Sequence, residues 1–269
     1  MNYAGLLRLK APQLLRYYSN NPTRWVRCII PAGKNERIVR CTGLYSAEEE
    51  ADEISRLSYC PSSKLKEGVF NRCNLPKQEM FYGTLFGEDN DEIQHALITS
   101  IFEVSDLCHE TSTDDEYYLS GEWLVSRDLS ALVIFDHTKP ARNTFFQMAK
   151  YNADQYLAEH PNNGLGDKGI IDAFSSEVFH NADYRVSAYY ADYLFRTQPI
   201  DAIVYPSVRT GHVGSCIAIR PSVVDSGGLT LVRASKYRMY SGGEKKVHGR
   251  AYEHGHIDYQ TGLIRYEPI

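Results

Sequence analysis

The order of strand-like and helix-like segments constrains this chain more than any other feature. Short apolar runs typical of strands occur at 80–86, 117–125, 131–136, 201–207, 214–219 and 228–239. Apolar residues at helical spacing occur at 91–103, 143–160, 170–180 and 182–197. Because these strands and helices do not alternate regularly, the pattern favours an α+β fold with a mixed β core over a doubly wound parallel sheet.

The two ends of the chain differ in pattern from its middle. Residues 1–45 form an N-terminal extension in which 4–19 predict one or two short helices. Residues 46–240 form the main domain, and residues 241–269 form a tail that predicts a hairpin around Gly262. A helix is predicted to begin over 46–56, because Ser46 can cap it and acidic residues stabilise a first turn.

Composition limits the function classes open to the chain. With 269 residues, 43% of them hydrophobic, one large domain can bury a core of ordinary size. A net charge of -5 argues against an extended nucleic-acid surface but allows a local basic pocket for a small anion. No run approaches the roughly 20 apolar residues of a spanning helix. The six cysteines form no C-x-x-C pair, so we expect reduced thiols in a cytoplasmic protein without membrane contact.

Several motifs that suggest chemistry lack the context that the chemistry needs. The GLGDKG segment at 164–169 follows a predicted helix, whereas a dinucleotide-binding fingerprint follows a strand. His248, His254 and His256 crowd the tail without a further ligand, so no metal site is predicted. Ser207 has no G-x-S-x-G setting, which argues against a hydrolase nucleophile.

Five reactive or charged side chains remain at turns and at the ends of predicted elements. They are Arg56, Arg72, Tyr82, Glu103 and Ser207. Glu103 is the most unusual of them, because it follows an apolar helical segment and an unpaired buried carboxylate is costly.

The segments around these residues occur in the order seen in a known family. Arg56 is followed by NRCNLP (71–76), FYGTL (81–85), ALITSIFEV (96–104) and DAIVYPSVR (201–209). Over about residues 50–240 the chain resembles the RES domain family, which is named for its Arg, Glu and Ser, and YPSVR is the most specific piece. The chain departs from the family pattern at Asn71, where the family has Gly, and at Cys73, where it has an aromatic residue. The interval from Tyr82 to Glu103 is also longer.

The resemblance implies an ADP-ribosyltransferase-like fold that splits NAD at its nicotinamide–ribose bond. Family members are toxins of toxin–antitoxin pairs, some act by phosphorolysis, and a helical antitoxin covers the active site. NAD is then the substrate and no cofactor is expected, with inorganic phosphate as an alternative co-substrate to water.

Each candidate residue has an expected role in that chemistry. Arg56 and Arg72 suit the diphosphate, because a guanidinium donates two parallel hydrogen bonds. Tyr82 offers a ring for nicotinamide or ribose, Asn74 joins the NAD-binding set, and Ser207 can donate to a phosphate. Glu103 would stabilise the cation that develops on the ribose.

Two other functions are compatible with the same residues. A mono-ADP-ribosyltransferase would transfer ADP-ribose to a macromolecule, and a decayed pocket would leave a non-catalytic binding module. The N-terminal extension and the tail could form a homo-oligomer interface, contact an antitoxin or cover sheet edges, and the sequence leaves these alternatives open.

Overall fold

The computed structural model describes residues 1–33, 37–86, 90–105, 107–109, 115–175, 184–241 and 247–269. In these ranges the chain has the predicted α+β class, with seven α-helices and ten β-strands. The helices are α1 (Tyr3–Leu7), α2 (Ala11–Asn20), α3 (Asn90–Phe102), α4 (Thr144–Glu159), α5 (Lys168–Ser175), α6 (Arg185–Thr197) and α7 (Pro221–Asp225). Within the described part, none of them is long and apolar enough to cross a membrane.

The ten strands form one mixed sheet. They are β1 (Val26–Ile30), β2 (Arg37–Leu44), β3 (Phe81–Phe86), β4 (Glu116–Val125), β5 (Leu129–Val133), β6 (Ala202–Pro206), β7 (Ser215–Ile219), β8 (Leu229–Ser241), β9 (Val247–Asp258) and β10 (Leu263–Pro268). Their order is β1-β5-β6-β7-β3-β2-β4-β8-β9-β10. The pair β5–β6 is parallel, and the other described neighbours are antiparallel. The predicted strands are confirmed, and so are the helices predicted at 4–19, 91–103, 143–160, 170–180 and 182–197, apart from 176–180 and 182–183, which lie outside the described residues.

Apolar side chains cover both faces of the central strands. In β6, Ala202 and Val204 belong to one buried cluster, whereas Ile203 and Tyr205 belong to another. Because neighbouring strand residues point to opposite faces, the sheet has a core on each side. The second core is closed by α1, α2, α5 and α6, which are in contact with one another.

Both ends of the chain are built into this architecture. In the N-terminal extension, the buried Tyr18 of α2 donates a hydrogen bond to the Val186 carbonyl of α6. Strand β1 covers the edge of β5, while β9 and β10 extend the sheet beyond β8. The predicted tail hairpin is confirmed, with Gly262 in its turn at φ 74°. The sheet therefore continues across residue 240, the predicted boundary between the main domain and the tail.

The helix predicted over 46–56 is wrong. Only Ile54–Leu57 forms a short 3-10 turn, and Ser46 caps no helix. The backbone here pairs with the tail hairpin instead, because the Ile54 amide donates to the Gly262 carbonyl at 2.9 Å and the Ile264 amide donates to the Asp52 carbonyl. Hydrogen bonds to a distant hairpin replace those that a helix would form locally.

A local separation of two strands in the middle of the sheet positions the candidate site. Strand β2 pairs with β3 only through Arg37–Val39 and Thr84–Phe86, although β2 continues along β4 as far as Leu44. Beyond this short contact the two strands diverge, and β3 pairs with β7 instead. Gly83 lies at the point of divergence, where an added Cβ would lie 2.3 Å from Ile38 Cγ2. The gap between β2 and β3 opens a pocket inside an otherwise continuous sheet.

Candidate functional site

The pocket between β2 and β3, called here the main pocket, has a volume of about 400 Å³. Strand β2 supplies one wall with the segment from Arg40 to Gly43, and β3 supplies the other with the segment from Tyr82 to Thr84. The remaining lining residues come from five other parts of the chain: Asn71, Arg72, Ser100, Glu103, Val104, Tyr184, Tyr205, Arg209 and Cys216. Three of the predicted site residues, Arg72, Tyr82 and Glu103, therefore meet in one pocket.

Glu103 lines this pocket, and one of its two carboxylate oxygens is held by hydrogen bonds. It follows the last residue of α3, and its amide still donates to the Thr99 carbonyl. Its Oε1 accepts hydrogen bonds from Ser207 Oγ at 2.6 Å and from the Cys216 thiol at 3.5 Å. Its Oε2 has no hydrogen bond to any described residue. A carboxylate at a helix C-terminus is disfavoured by the helix dipole, so this placement needs the two donors that hold it.

Ser207 lies behind Glu103 and outside the pocket lining. It is completely buried, and its Oγ also accepts a hydrogen bond from the Thr210 amide at 3.2 Å. The predicted contact of Ser207 with a phosphate is therefore replaced by a contact with Glu103. The structure places Ser207 as a residue that orients the carboxylate.

The guanidinium of Arg72 lies over two aromatic rings. Its guanidinium carbon is 5.0 Å from the ring centre of Tyr184 and 5.7 Å from that of Tyr205. One of its nitrogens donates to the Phe174 carbonyl. Burial alone would lower the pKa of Arg72, but the two tyrosines and Glu103 raise its pKa above the usual value. Arg72 is thus a fixed cation next to the Glu103 carboxylate.

The hydroxyl of Tyr82 is already bound within the protein. It donates to Asn74 Oδ1 at 2.6 Å and accepts from the Cys73 amide at 2.9 Å. Burial raises its pKa well above the usual value, so the phenol stays protonated. Asn74 is 2% exposed and does not line the pocket. The predicted contact of Asn74 with NAD is therefore replaced by a role in fixing Tyr82, whose ring borders the pocket.

Two arginines of the pocket are absent from the set predicted from sequence. Arg40 on β2 donates to the Tyr82 carbonyl at 2.8 Å across the strand gap, and its Nη2 has no partner among the described residues. Arg209, two residues after Ser207, donates to the Phe102 carbonyl at the end of α3. The sequence gives one signal for Arg40: alternate residues of a strand share a face, so this charge lies on the same face as the apolar Ile38 and Leu44.

Arg56 lies in a second cavity beside the main pocket. Its Nη2 bonds to Glu49 Oε1 at 2.6 Å, and it does not line the main pocket. Arg40 and Thr42 line both cavities, so the two are neighbours along β2. The predicted site residues are therefore distributed over the main pocket, the layer behind it and this second cavity.

The charge of the main pocket is opposite in sign to that of the whole chain. Arg40, Arg72 and Arg209 line it together with the single acid Glu103, and none of these arginines forms an ion pair with a carboxylate in the described ranges. Burial lowers the pKa of Arg40, yet the group stays charged at neutral pH. Across the residues described, no three His, Cys, Asp or Glu side chains are grouped to hold a metal ion. The pocket suits an organic anion with a planar group that can meet tyrosine rings.

Comparison with known proteins adds no relative to this picture. No protein-family model matches the chain, and no curated protein matches it significantly.

Proposed function

We propose that this protein cleaves NAD at the bond between nicotinamide and ribose, as its resemblance to the RES domain family implies. One observation carries the proposal: Glu103, whose Oε2 has no hydrogen bond to a described residue, shares a small pocket with three arginines that form no ion pair within the described ranges. NAD combines a diphosphate, which the arginines suit, with a ribose that becomes cationic as nicotinamide leaves, which the carboxylate suits.

Glu103 Oε2 performs the electrostatic part of the reaction. Nicotinamide in NAD is a cationic leaving group, and its departure leaves an oxocarbenium-like ribose. A carboxylate about 4 Å from that cation contributes roughly 4 kcal/mol at an effective dielectric constant near 20. If the attraction arises mainly in the transition state, it accelerates the reaction by about three powers of ten.

The other lining residues hold the substrate for that step. Arg40 Nη2 and Arg209 donate to the diphosphate, while Arg72 adds a fixed positive charge beside Glu103. The rings of Tyr82, Tyr184 and the neighbouring Tyr205 line the pocket where the planar nicotinamide would lie. Such positioning contributes to the rate because the reacting groups are already oriented when the bond breaks.

The proposal includes a biological role. An enzyme that consumes NAD harms the cytoplasm in which it acts, so we infer a toxin of a toxin–antitoxin pair. Its partner is then a protein antitoxin that covers the opening of the main pocket. Coexpression with the neighbouring gene should restore growth, whereas expression of the Glu103→Gln variant should be harmless without it.

Incubation of the purified protein with NAD tests the activity directly. We expect nicotinamide to appear with time, measured by chromatography with and without inorganic phosphate. Mass spectrometry of the second product separates hydrolysis, which gives ADP-ribose, from phosphorolysis, which gives its 1-phosphate. ADP-ribose attached to added protein or nucleic acid would instead establish the transferase alternative. Unchanged NAD in all these mixtures would refute the proposal.

A further inference from the structure

The second cavity, beside the main pocket, has a volume of about 540 Å³ and no role in the chemistry described above. Its lining includes Arg40, Thr42, Arg56 and Trp123. Arg40 and Thr42 also line the main pocket, so the two cavities adjoin each other at β2.

Two buried donors at this cavity lack hydrogen-bond partners. Trp123 is 4% exposed, and its indole Nε1 is bonded to no described residue. The Nε of Arg40 is likewise buried, with no partner in the part of the chain that the structure describes. Leaving a buried N–H group unsatisfied is costly, and native proteins rarely do so without a reason. A bound molecule that brings acceptor atoms would satisfy these donors.

The remaining walls restrict what that molecule can be. Ile54, Val224 and Leu229 are apolar and give the cavity a hydrophobic side. The two acids nearby are already occupied, because Asp225 accepts from the Tyr59 hydroxyl at 2.7 Å and Glu49 binds Arg56. The cavity therefore combines apolar walls, unsatisfied donors and an Arg40 without a carboxylate partner. These features suit a flat heterocycle with nitrogen acceptors that is attached to an anionic group.

We propose that the second cavity binds the adenosine half of the dinucleotide. Arg40 then contacts the diphosphate at the junction of the two cavities, and Trp123 Nε1 donates to an acceptor of the base. This inference rests on the proposed function, because it takes the other half of the same substrate to lie in the main pocket. Arg56, which lies outside the main pocket, borders this half of the ligand.

Nicotinamide mononucleotide provides the first test, because it contains the same scissile bond but lacks the adenylate. In Trp123→Phe, which removes the indole N–H and keeps an aromatic ring, kcat/KM for NAD should fall about tenfold through a higher KM. The same variant should cleave nicotinamide mononucleotide as well as the parent does. Trp25→Phe is the matched control, since Trp25 Nε1 donates to Tyr190 elsewhere in the protein. Equal losses with both substrates, or no loss with NAD, would overturn the proposal.

Fluorescence tests the cavity without any turnover. The chain has two tryptophans, so in Trp25→Phe the emission comes from Trp123 alone. Adding AMP should change that emission, and adding nicotinamide should not. Unchanged emission at millimolar AMP would overturn the proposal, even if Trp123→Phe fails to fold. If neither substrate releases nicotinamide, the proposed function fails, and the AMP titration still decides whether this cavity binds adenylate.

Discussion

Replacing Ser207 with alanine should slow catalysis without weakening substrate binding. The Ser207 hydroxyl donates to Glu103 Oε1 at 2.6 Å and is completely buried, so water cannot take its place. The other donor to the same oxygen is the Cys216 thiol at 3.5 Å, and thiols are weak donors. In Ser207→Ala the carboxylate therefore loses the contact that fixes its orientation.

The expected size of the effect follows from the type of hydrogen bond. An O–H donor 2.6 Å from a carboxylate oxygen is a charge-assisted bond, and hydrogen bonds to charged groups contribute roughly 1.5–3 kcal/mol. If that free energy is lost in the transition state, kcat falls by roughly ten- to one-hundredfold. The Thr210 amide loses its acceptor as well, which should cost about 1 kcal/mol of folding stability.

The assay is the initial rate of nicotinamide release at several NAD concentrations, which separates kcat from KM. Ser215→Ala is the matched control: Ser215 is buried on β7, opposite Pro206, and its hydroxyl bonds to Asn143 instead of Glu103. We expect kcat of the control to stay close to that of the parent. A folded Ser207→Ala protein with parental kcat would refute the assigned role of Ser207.

Three further predictions test the fold, the pocket and an ion pair outside the pocket. Gly83→Ala should lower the free energy of unfolding by roughly 1–3 kcal/mol, because its Cβ would lie 2.3 Å from a β2 methyl carbon. The control Gly43→Ala has open space and should change that free energy by less than about 0.5 kcal/mol. Equal melting temperatures of the two variants would contradict this. Arg72→Lys should weaken ADP-ribose binding about tenfold by calorimetry, since the ammonium of lysine cannot reproduce the contacts of the guanidinium with both tyrosine rings. Unchanged affinity would count against it. Hydrogen bonds from Arg127 hold the pKa of Asp201 below its usual value of 3.8. Asp201→Asn should therefore lower the free energy of unfolding by up to about 1 kcal/mol at pH 6. Urea unfolding should show this difference from the parent disappear as the pH falls through the lowered pKa of Asp201. A difference that does not depend on pH would argue against the ion pair.

Much of the fold follows from local patterns in the sequence. The apolar runs that became β3, β5 and β6 and the helical spacing that became α4 and α6 are properties of contiguous residues. The helix predicted over 46–56 failed because its backbone partners, around Gly262, lie some two hundred residues away. Acidic residues at a helix start are a local signal, and pairing with a distant hairpin outweighs it.

The sequence predicts several residues of the candidate site, but it predicts their arrangement only in part. Glu103 and Arg72 could be named from residue type and setting, and they line one pocket. The strand pattern marks Arg40 as a charge on a partly apolar face, but it does not predict the cavity, which forms only because β2 diverges from β3. The roles of Ser207 and Asn74 depend on which atoms their side chains meet, Glu103 Oε1 and the Tyr82 hydroxyl, and spacing along the chain carries no such information.

Single-turnover cleavage of NAD by Glu103→Gln measures whether Glu103 Oε2 stabilises a cation formed from NAD. The amide keeps the size of the side chain and an acceptor for Ser207 while removing its charge. At about 4 Å and an effective dielectric constant of about 20, the lost attraction predicts a rate roughly a thousandfold lower, with ADP-ribose affinity within about threefold of the parent's. Glu267→Gln, which changes an exposed carboxylate on β10, is the control and should keep the parental rate. NAD cleavage by Glu103→Gln at the parental rate would contradict the account.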